Sequence, residues 1–320
     1  MEQRKILIHL GYPKTGSTSI QKFLDKINND NLSSFLRNTE NKKNKNIHNQ
    51  YKDIIKEIFF EEKISSKKEK WIKFFDLNLK KYNVLSDETF LYPTNYKKVD
   101  FIRTLKRYLE IFNTLNCKIE ILICIRDPKK LHISYFTDMY HRILQYDNKL
   151  DSLEKYCLSI KKNEIVNQIF TTFNFNKIIN TIQQLNKEFK INKNLHIIKL
   201  ENLDNFKNYL FKFCESLDLK KDYDCLTIQK TNITKKTSEI YIRNFDVISF
   251  FFKYDPKNKI NYSIKKILKS SKILNFLLGF YKIKNKYNND MRDKINNYYK
   301  KDLKELEIKT KLNLKEYYEC

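Results

Sequence analysis

Ile6 to Ile20 constrains this chain more than any other stretch, because Ile-Leu-Ile-His-Leu-Gly-Tyr-Pro-Lys-Thr-Gly-Ser-Thr-Ser-Ile reads as strand, glycine-bounded loop and helix. Ile6 to Leu10 has the length of a buried strand, and Ser17-Thr18-Ser19 opens a helix whose inward face carries Ile20, Phe23, Leu24 and Ile27. A loop of this kind turns backbone N–H groups inward, and the helix N-terminus adds partial positive charge, so the stretch suits phosphate. The chain has three glycines in all, and Gly11 and Gly16 are two of them; Pro13 is one of four prolines.

Gly11 and Gly16 have the spacing of a nucleotide-triphosphate loop, yet Ser17 stands where that loop carries its lysine. The nearby cation is Lys14, inside the loop, where it can face a terminal phosphate or the oxygen that bridges to a transferring group. That suits one phosphate and a leaving group better than a magnesium-triphosphate.

The second informative stretch is Ile119-Glu120-Ile121-Leu122-Ile123-Cys124-Ile125-Arg126-Asp127-Pro128, a run of the kind buried inside a parallel sheet and ending on an arginine. An arginine at the C-terminal edge of such a strand lies where α/β sheets bind ligands. Its guanidinium can grip a phosphate bidentately and the Ser134 hydroxyl can add a hydrogen bond; alternatively Arg126 pairs with Asp127 as a structural ion pair. Val84-Leu85 marks a further strand, ending in Ser86-Asp87-Glu88-Thr89, which puts a carboxylate pair at a strand-to-helix corner.

These stretches resemble sulfotransferases that use 3′-phosphoadenosine 5′-phosphosulfate (PAPS). Leu10 to Ser19 followed by Gln21 is similar to their 5′-phosphosulfate loop, and Arg126-Asp127-Pro128 with Ser134 to their 3′-phosphate site. Weaker likenesses lie at Leu85 to Glu88, Leu195 to Leu203, Asn232 to Thr234 and Tyr299 to Tyr318. The resemblance implies metal-free, in-line transfer of a sulfuryl group to an acceptor hydroxyl, with adenosine 3′,5′-bisphosphate leaving. Pro13, Lys14, Thr15, Gly16, Ser17, Thr18 and Ser19 would hold one phosphate, Arg126 and Ser134 the other, and Lys14 would neutralise charge on the leaving oxygen. Glu88 matches the acidic residue of the family's serine–glutamate pattern and is the expected base; Ser86 as an N-cap with Asp87 and Glu88 in a first helical turn is the plainer alternative. His132 and His141 are the fallback bases, since other branches of the family use histidine.

The expected fold is a P-loop-like three-layer αβα domain spanning residues 1–320, with a central parallel sheet and helical insertions. Residues 28–81 form a variable insertion that shapes the acceptor cleft, and Asn28 to Gln50, rich in asparagine and lysine, reads as an irregular connection with little core. Tyr51, Ile54, Ile55, Ile58 and Phe59, then Trp71, Phe74 and Phe75, predict helices, as do Phe101, Leu105, Tyr108, Leu109 and Phe112. Residues 290–320 are a helical closing segment.

The formal net charge of +25 points to anionic partners without choosing among them, and lysine beside abundant asparagine and isoleucine is a bias that codon composition alone produces. By resemblance to bacterial members, the expected acceptor is a carbohydrate: a cell-surface polysaccharide, lipopolysaccharide or glycolipid. Lys257 to Asn289 holds nine lysines and no carboxylate, with Ile264, Ile267, Leu268, Leu274, Leu278 and Tyr281 on one helical face. Such a face can rest on an anionic membrane or pack on its own domain. Six cysteines without metal spacing read as buried reduced thiols, and the absence of a secretory or spanning segment implies a cytoplasmic protein, peripheral to the inner membrane if that face binds lipid. A P-loop kinase or nucleoside-triphosphatase lacks its lysine here, and a basic nucleic-acid-binding protein lacks any recognition signature.

Overall fold

The computed structural model describes residues 3–11, 14–26, 31–36, 45–61, 67–87, 101–160, 175–189, 195–200, 208, 240–243, 280–283 and 289–319. It divides into two compact units. The first comprises Met1–Asp127, Asn167–Ile233 and Lys301–Lys315; the second comprises Pro128–Val166, Thr234–Lys300 and Glu316–Cys320.

In the first unit, β1 (Lys5–Leu10), β2 (Leu32–Leu36), β3 (Tyr82–Asp87), β4 (Lys118–Ile125) and β5 (Leu195–Lys199) form a sheet in the order β2-β3-β1-β4-β5. Every pairing is parallel. The fold is therefore α/β, a P-loop-like parallel sheet with helices, as the two apolar runs led us to expect. β1 lies in the middle, which is why Ile6, Leu7, Ile8 and Leu10 are all buried.

The helices follow from the crossovers. β1 to β2 moves one way along the sheet and the later connections move the other, so right-handed crossovers place α1 (Ser17–Lys26) on one face and the first unit's other crossover helices opposite. The opposite layer holds α2 (Lys45–Phe60), α3 (Lys68–Asn78), α4 (Phe101–Thr114) and, beyond β4, α7 (Phe175–Glu188). Ion pairs Lys70–Glu57, Lys68–Glu110 and Lys106–Glu188 tie these helices in sequence across their outer surface.

Beneath them lies an aromatic core. Phe75 packs edge-on against Phe35, Phe74, Tyr108 and Phe112, with ring centroids 5.0–6.1 Å apart. Phe35 belongs to β2, so Asn28 to Gln50 is not wholly irregular and poor in core: Leu32 to Leu36 is a buried edge strand, and α2 starts at Lys45. Ser33 and Ser34 made the strand look polar. Both are buried, and the Ser33 hydroxyl donates to the Asn78 carbonyl at 2.5 Å.

Arg107 is a buried charge with a structural task. Its guanidinium donates to the carbonyls of Ile58 at 2.6 Å and Glu61 at 2.5 Å, closing the C-terminus of α2, and lies 5.7 Å from the Trp71 ring centre.

The second unit holds α5 (Pro128–Tyr146), α6 (Leu153–Ile160), an antiparallel pair of β6 (Ile240–Arg243) and β7 (Phe280–Ile283), the first part of α8 (Asn289–Thr310) and α9 (Lys315–Tyr318). Tyr281 thus lies on a strand and not on the helical face drawn through Leu278; Phe280 and Tyr281 are good strand formers just past Gly279. Residues 257–279 and 284–288 of that basic segment lie outside the described residues. His132 on α5 is fully buried, with Nδ1 3.2 Å from the Tyr156 hydroxyl and Nε2 2.8 Å from the Tyr299 hydroxyl. Burial pushes its pKa down to about 3. It is a neutral core histidine, which removes it as a fallback base.

Cys117, Cys124 and Cys157 are free, buried thiols, and burial pushes Cys117 up to about 11 and Cys157 up to about 12. Cys214, Cys225 and Cys320 lie outside the described residues. Among the described residues no helix is long and apolar enough to cross a membrane.

Arg107→Ala removes two charge-assisted bonds and leaves the buried Ile58 carbonyl and the half-buried Glu61 carbonyl without them. It is expected to cost about 3 kcal/mol in denaturant unfolding.

Candidate active site

The sheet order locates a crevice. From β1 the chain crosses towards β2, while from β4 it crosses the other way to β5, and β1 and β4 are neighbours. Ligands of open α/β sheets bind outside the carboxyl ends of such a strand pair. The residues found there are the glycine-bounded loop after β1 and Arg126 after β4.

Their meeting follows from register. Leu10, the last residue of β1, pairs with Ile123, so β4 runs on past β1. At about 3.3 Å per residue, Arg126 stands about 10 Å beyond the level of Leu10. It reaches over the loop, and its Nη1 donates to the Lys14 carbonyl at 2.9 Å.

Lys14 has φ +65°, the left-handed conformation that a residue with a Cβ adopts at a cost of about 1 kcal/mol. Two residues on, Gly16 has φ +84°, and a Cβ there would lie 2.7 Å from Cδ1 of Leu200. The Leu200 backbone is fixed in turn by its own N–H, which donates to the Ile125 carbonyl at 2.9 Å. The ends of β4 and β5 therefore form a template against which the loop is bent.

Past the bend, Gly16 opens α1: its carbonyl accepts from the N–H groups of Ser19 at 2.9 Å and Ile20 at 3.1 Å. The first turn of α1 holds no acidic residue, so the helix brings no carboxylate of its own to its positive end. Thr15 and Ser17 are buried, Ser19 is half-buried and Thr18 is exposed.

A buried node supports the loop from below. His9 Nδ1 lies 2.6 Å from the Ser86 hydroxyl, and the Gln21 side-chain amide donates to the Ser86 carbonyl at 3.3 Å. The strand before the loop, the helix after it and the end of β3 are thus joined at one serine. Burial pushes the His9 pKa down to about 3, and its Nε2 has no hydrogen-bond partner among the described residues. Asp87, the next residue of β3, is also buried and pairs with Leu10 across the sheet.

The structure therefore gathers Lys14, Thr15, Gly16, Ser17, Thr18, Ser19 and Arg126 around one crevice. Ser134 is half-buried on α5, in the second unit. His141 is on the same helix, with its side chain outside the described residues, and Pro13 and Glu88 lie outside them altogether. Residue-type reasoning missed the His9–Ser86–Gln21 node and Leu200. The available signal was His9 itself, a polar residue within an otherwise apolar buried strand. No group of His, Cys, Asp and Glu that could hold a metal occurs among the described residues.

No family model and no curated protein matches this chain. Among solved structures, it is similar to a sulfotransferase from Alicyclobacillus acidocaldarius at 12% identity and TM-score 0.43, covering 82% of this chain and 96% of that one. A sulfotransferase domain from the curacin biosynthetic pathway matches at 15% identity and TM-score 0.37, over 72% of this chain and 80% of its own length. A mouse sulfotransferase complexed with PAP matches at 14% identity and TM-score 0.36, over 85% and 88%.

Gly16→Ala meets both the Leu200 side chain and the left-handed φ. It is expected to weaken anion binding at the loop by about fivefold or more, and adding Leu200→Ala restores only part of it, since the φ penalty of about 1 kcal/mol persists; calorimetry on both variants reads this. His9 titrates near 6.5 when unfolded and about 3 when folded, so the unfolded chain binds more protons between those values. Stability is expected to fall as pH drops from about 6.5 towards 3, with a shallower slope in His9→Gln.

Proposed function

We propose that this chain is a PAPS-dependent sulfotransferase that moves a sulfuryl group to a hydroxyl of a carbohydrate acceptor. The observation that carries the reading is the loop itself. A phosphate-type loop follows the central strand, its cation is Lys14 inside the bend, Ser17 replaces the triphosphate-binding lysine, and Arg126 overhangs it from the neighbouring strand.

Each residue has a task in that reaction. The loop backbone and the N-terminus of α1 bind the donor's 5′-phosphosulfate; Arg126 and Ser134 bind its 3′-phosphate. Lys14 neutralises charge building on the oxygen that bridges phosphorus and sulfur. Glu88 takes the acceptor's proton, with His141 as the alternative base. The product that remains is adenosine 3′,5′-bisphosphate, and the chemistry calls for no metal. Acceptors of this class, lipopolysaccharide or glycolipid precursors among them, are made at the inner face of a membrane, which fits a cytoplasmic enzyme whose basic segment at 257–289 touches anionic lipid.

Calorimetric titration with adenosine 3′,5′-bisphosphate tests the donor, beside AMP and magnesium-ATP. Micromolar binding of the bisphosphate without metal, at least tenfold tighter than AMP, is expected; preference for magnesium-ATP would overturn the reading in favour of a kinase. Lys14→Ala is expected to lower turnover by about two to three orders of magnitude while bisphosphate affinity changes far less.

A further inference from the structure

A guanidinium assigned to a distal phosphate has no need to touch the loop that binds the proximal one. Arg126 does touch it, and at an informative atom: the carbonyl of Lys14, the non-glycine residue held left-handed in the bend. We propose that Arg126 is a positioning residue for Lys14 as well as a ligand of the distal phosphate, so that occupation of the distal site and the aim of the catalytic lysine are coupled. The phosphate half of this statement rests on the donor reading above; the loop half does not.

A left-handed lysine persists only where its surroundings over-determine it, and here an arginine on a rigid strand end fixes the peptide that carries the strain. That strand end is rigid because Ile125 is fully buried and accepts a hydrogen bond from Leu200, whose side chain borders Gly16. Finally, a guanidinium has five N–H donors in a planar fork, so a bond to a peptide oxygen and a bond to a phosphate are compatible on one side chain.

Without the clamp, Lys14 relaxes towards right-handed or extended backbone, which turns its side chain away and rotates the peptides that follow. The loop then loses grip on the proximal phosphate too. An arginine serving only the distal phosphate has no such effect.

Hydrogen exchange on the ligand-free full chain reads the clamp directly at the amides of Ser19 and Ile20, which report the Gly16 turn. Arg126→Ala is expected to speed their exchange by about fivefold or more, while amides in β1 and β4 stay protected. Glycine adopts the left-handed region freely, so in a Lys14→Gly background the same change should have a much smaller effect. Competition binding supplies the second arm. Arg126→Ala should weaken both AMP, which has no distal phosphate, and adenosine 3′,5′-bisphosphate, whereas Ser134→Ala weakens the bisphosphate alone. Unchanged exchange in Arg126→Ala, or loss confined to the bisphosphate, overturns the clamp. If the wild-type chain binds neither nucleotide, the donor reading fails and the exchange data still decide the clamp.

Discussion

The hydrogen bond from Arg126 to the Lys14 carbonyl joins the two parts of the fold that matter for chemistry: the loop after the central strand and the neighbouring strand that overshoots it. It exists because β4 extends past β1 at its carboxyl end, which is a property of register and not of the loop. A short loop with one glycine in its bend has little power to hold a left-handed lysine unaided. Arg126 and Leu200, from β4 and from the end of β5, supply what the loop sequence does not.

This explains why the loop was legible and its support was not. Gly11, Gly16 and Ser17 announce themselves by spacing and by the scarcity of glycine, and Ile119 to Ile125 by a run of hydrophobic residues broken only at Glu120. The contacts of Leu200 and His9 depend on strand order, which no local pattern encodes. The edge strand Leu32 to Leu36 was hidden for a related reason: its two serines are buried, and a hydroxyl satisfied by backbone, as that of Ser33 is by the Asn78 carbonyl, behaves as a small core residue. Tyr281 failed differently. A helical period drawn across Gly279 ignored the strand preference of the aromatic pair beyond it.

Two buried histidines show how one residue type serves opposite ends. His132 uses both ring nitrogens on tyrosine hydroxyls and simply fills the second unit's interior. His9 uses one nitrogen, on Ser86, and so links three segments that converge below the loop. Both are neutral across the physiological range because charging either would leave an ion in an apolar interior.

The bend at Gly16 has a genetic corollary. Every single-base change that alters a glycine codon's amino acid introduces a side chain with a Cβ, and here that atom meets Leu200 and a left-handed backbone together. The chain has three glycines in 320 residues, and this is one of them. Codon 16 therefore admits no amino-acid change by a single base that does not place a Cβ against Leu200 on a left-handed backbone.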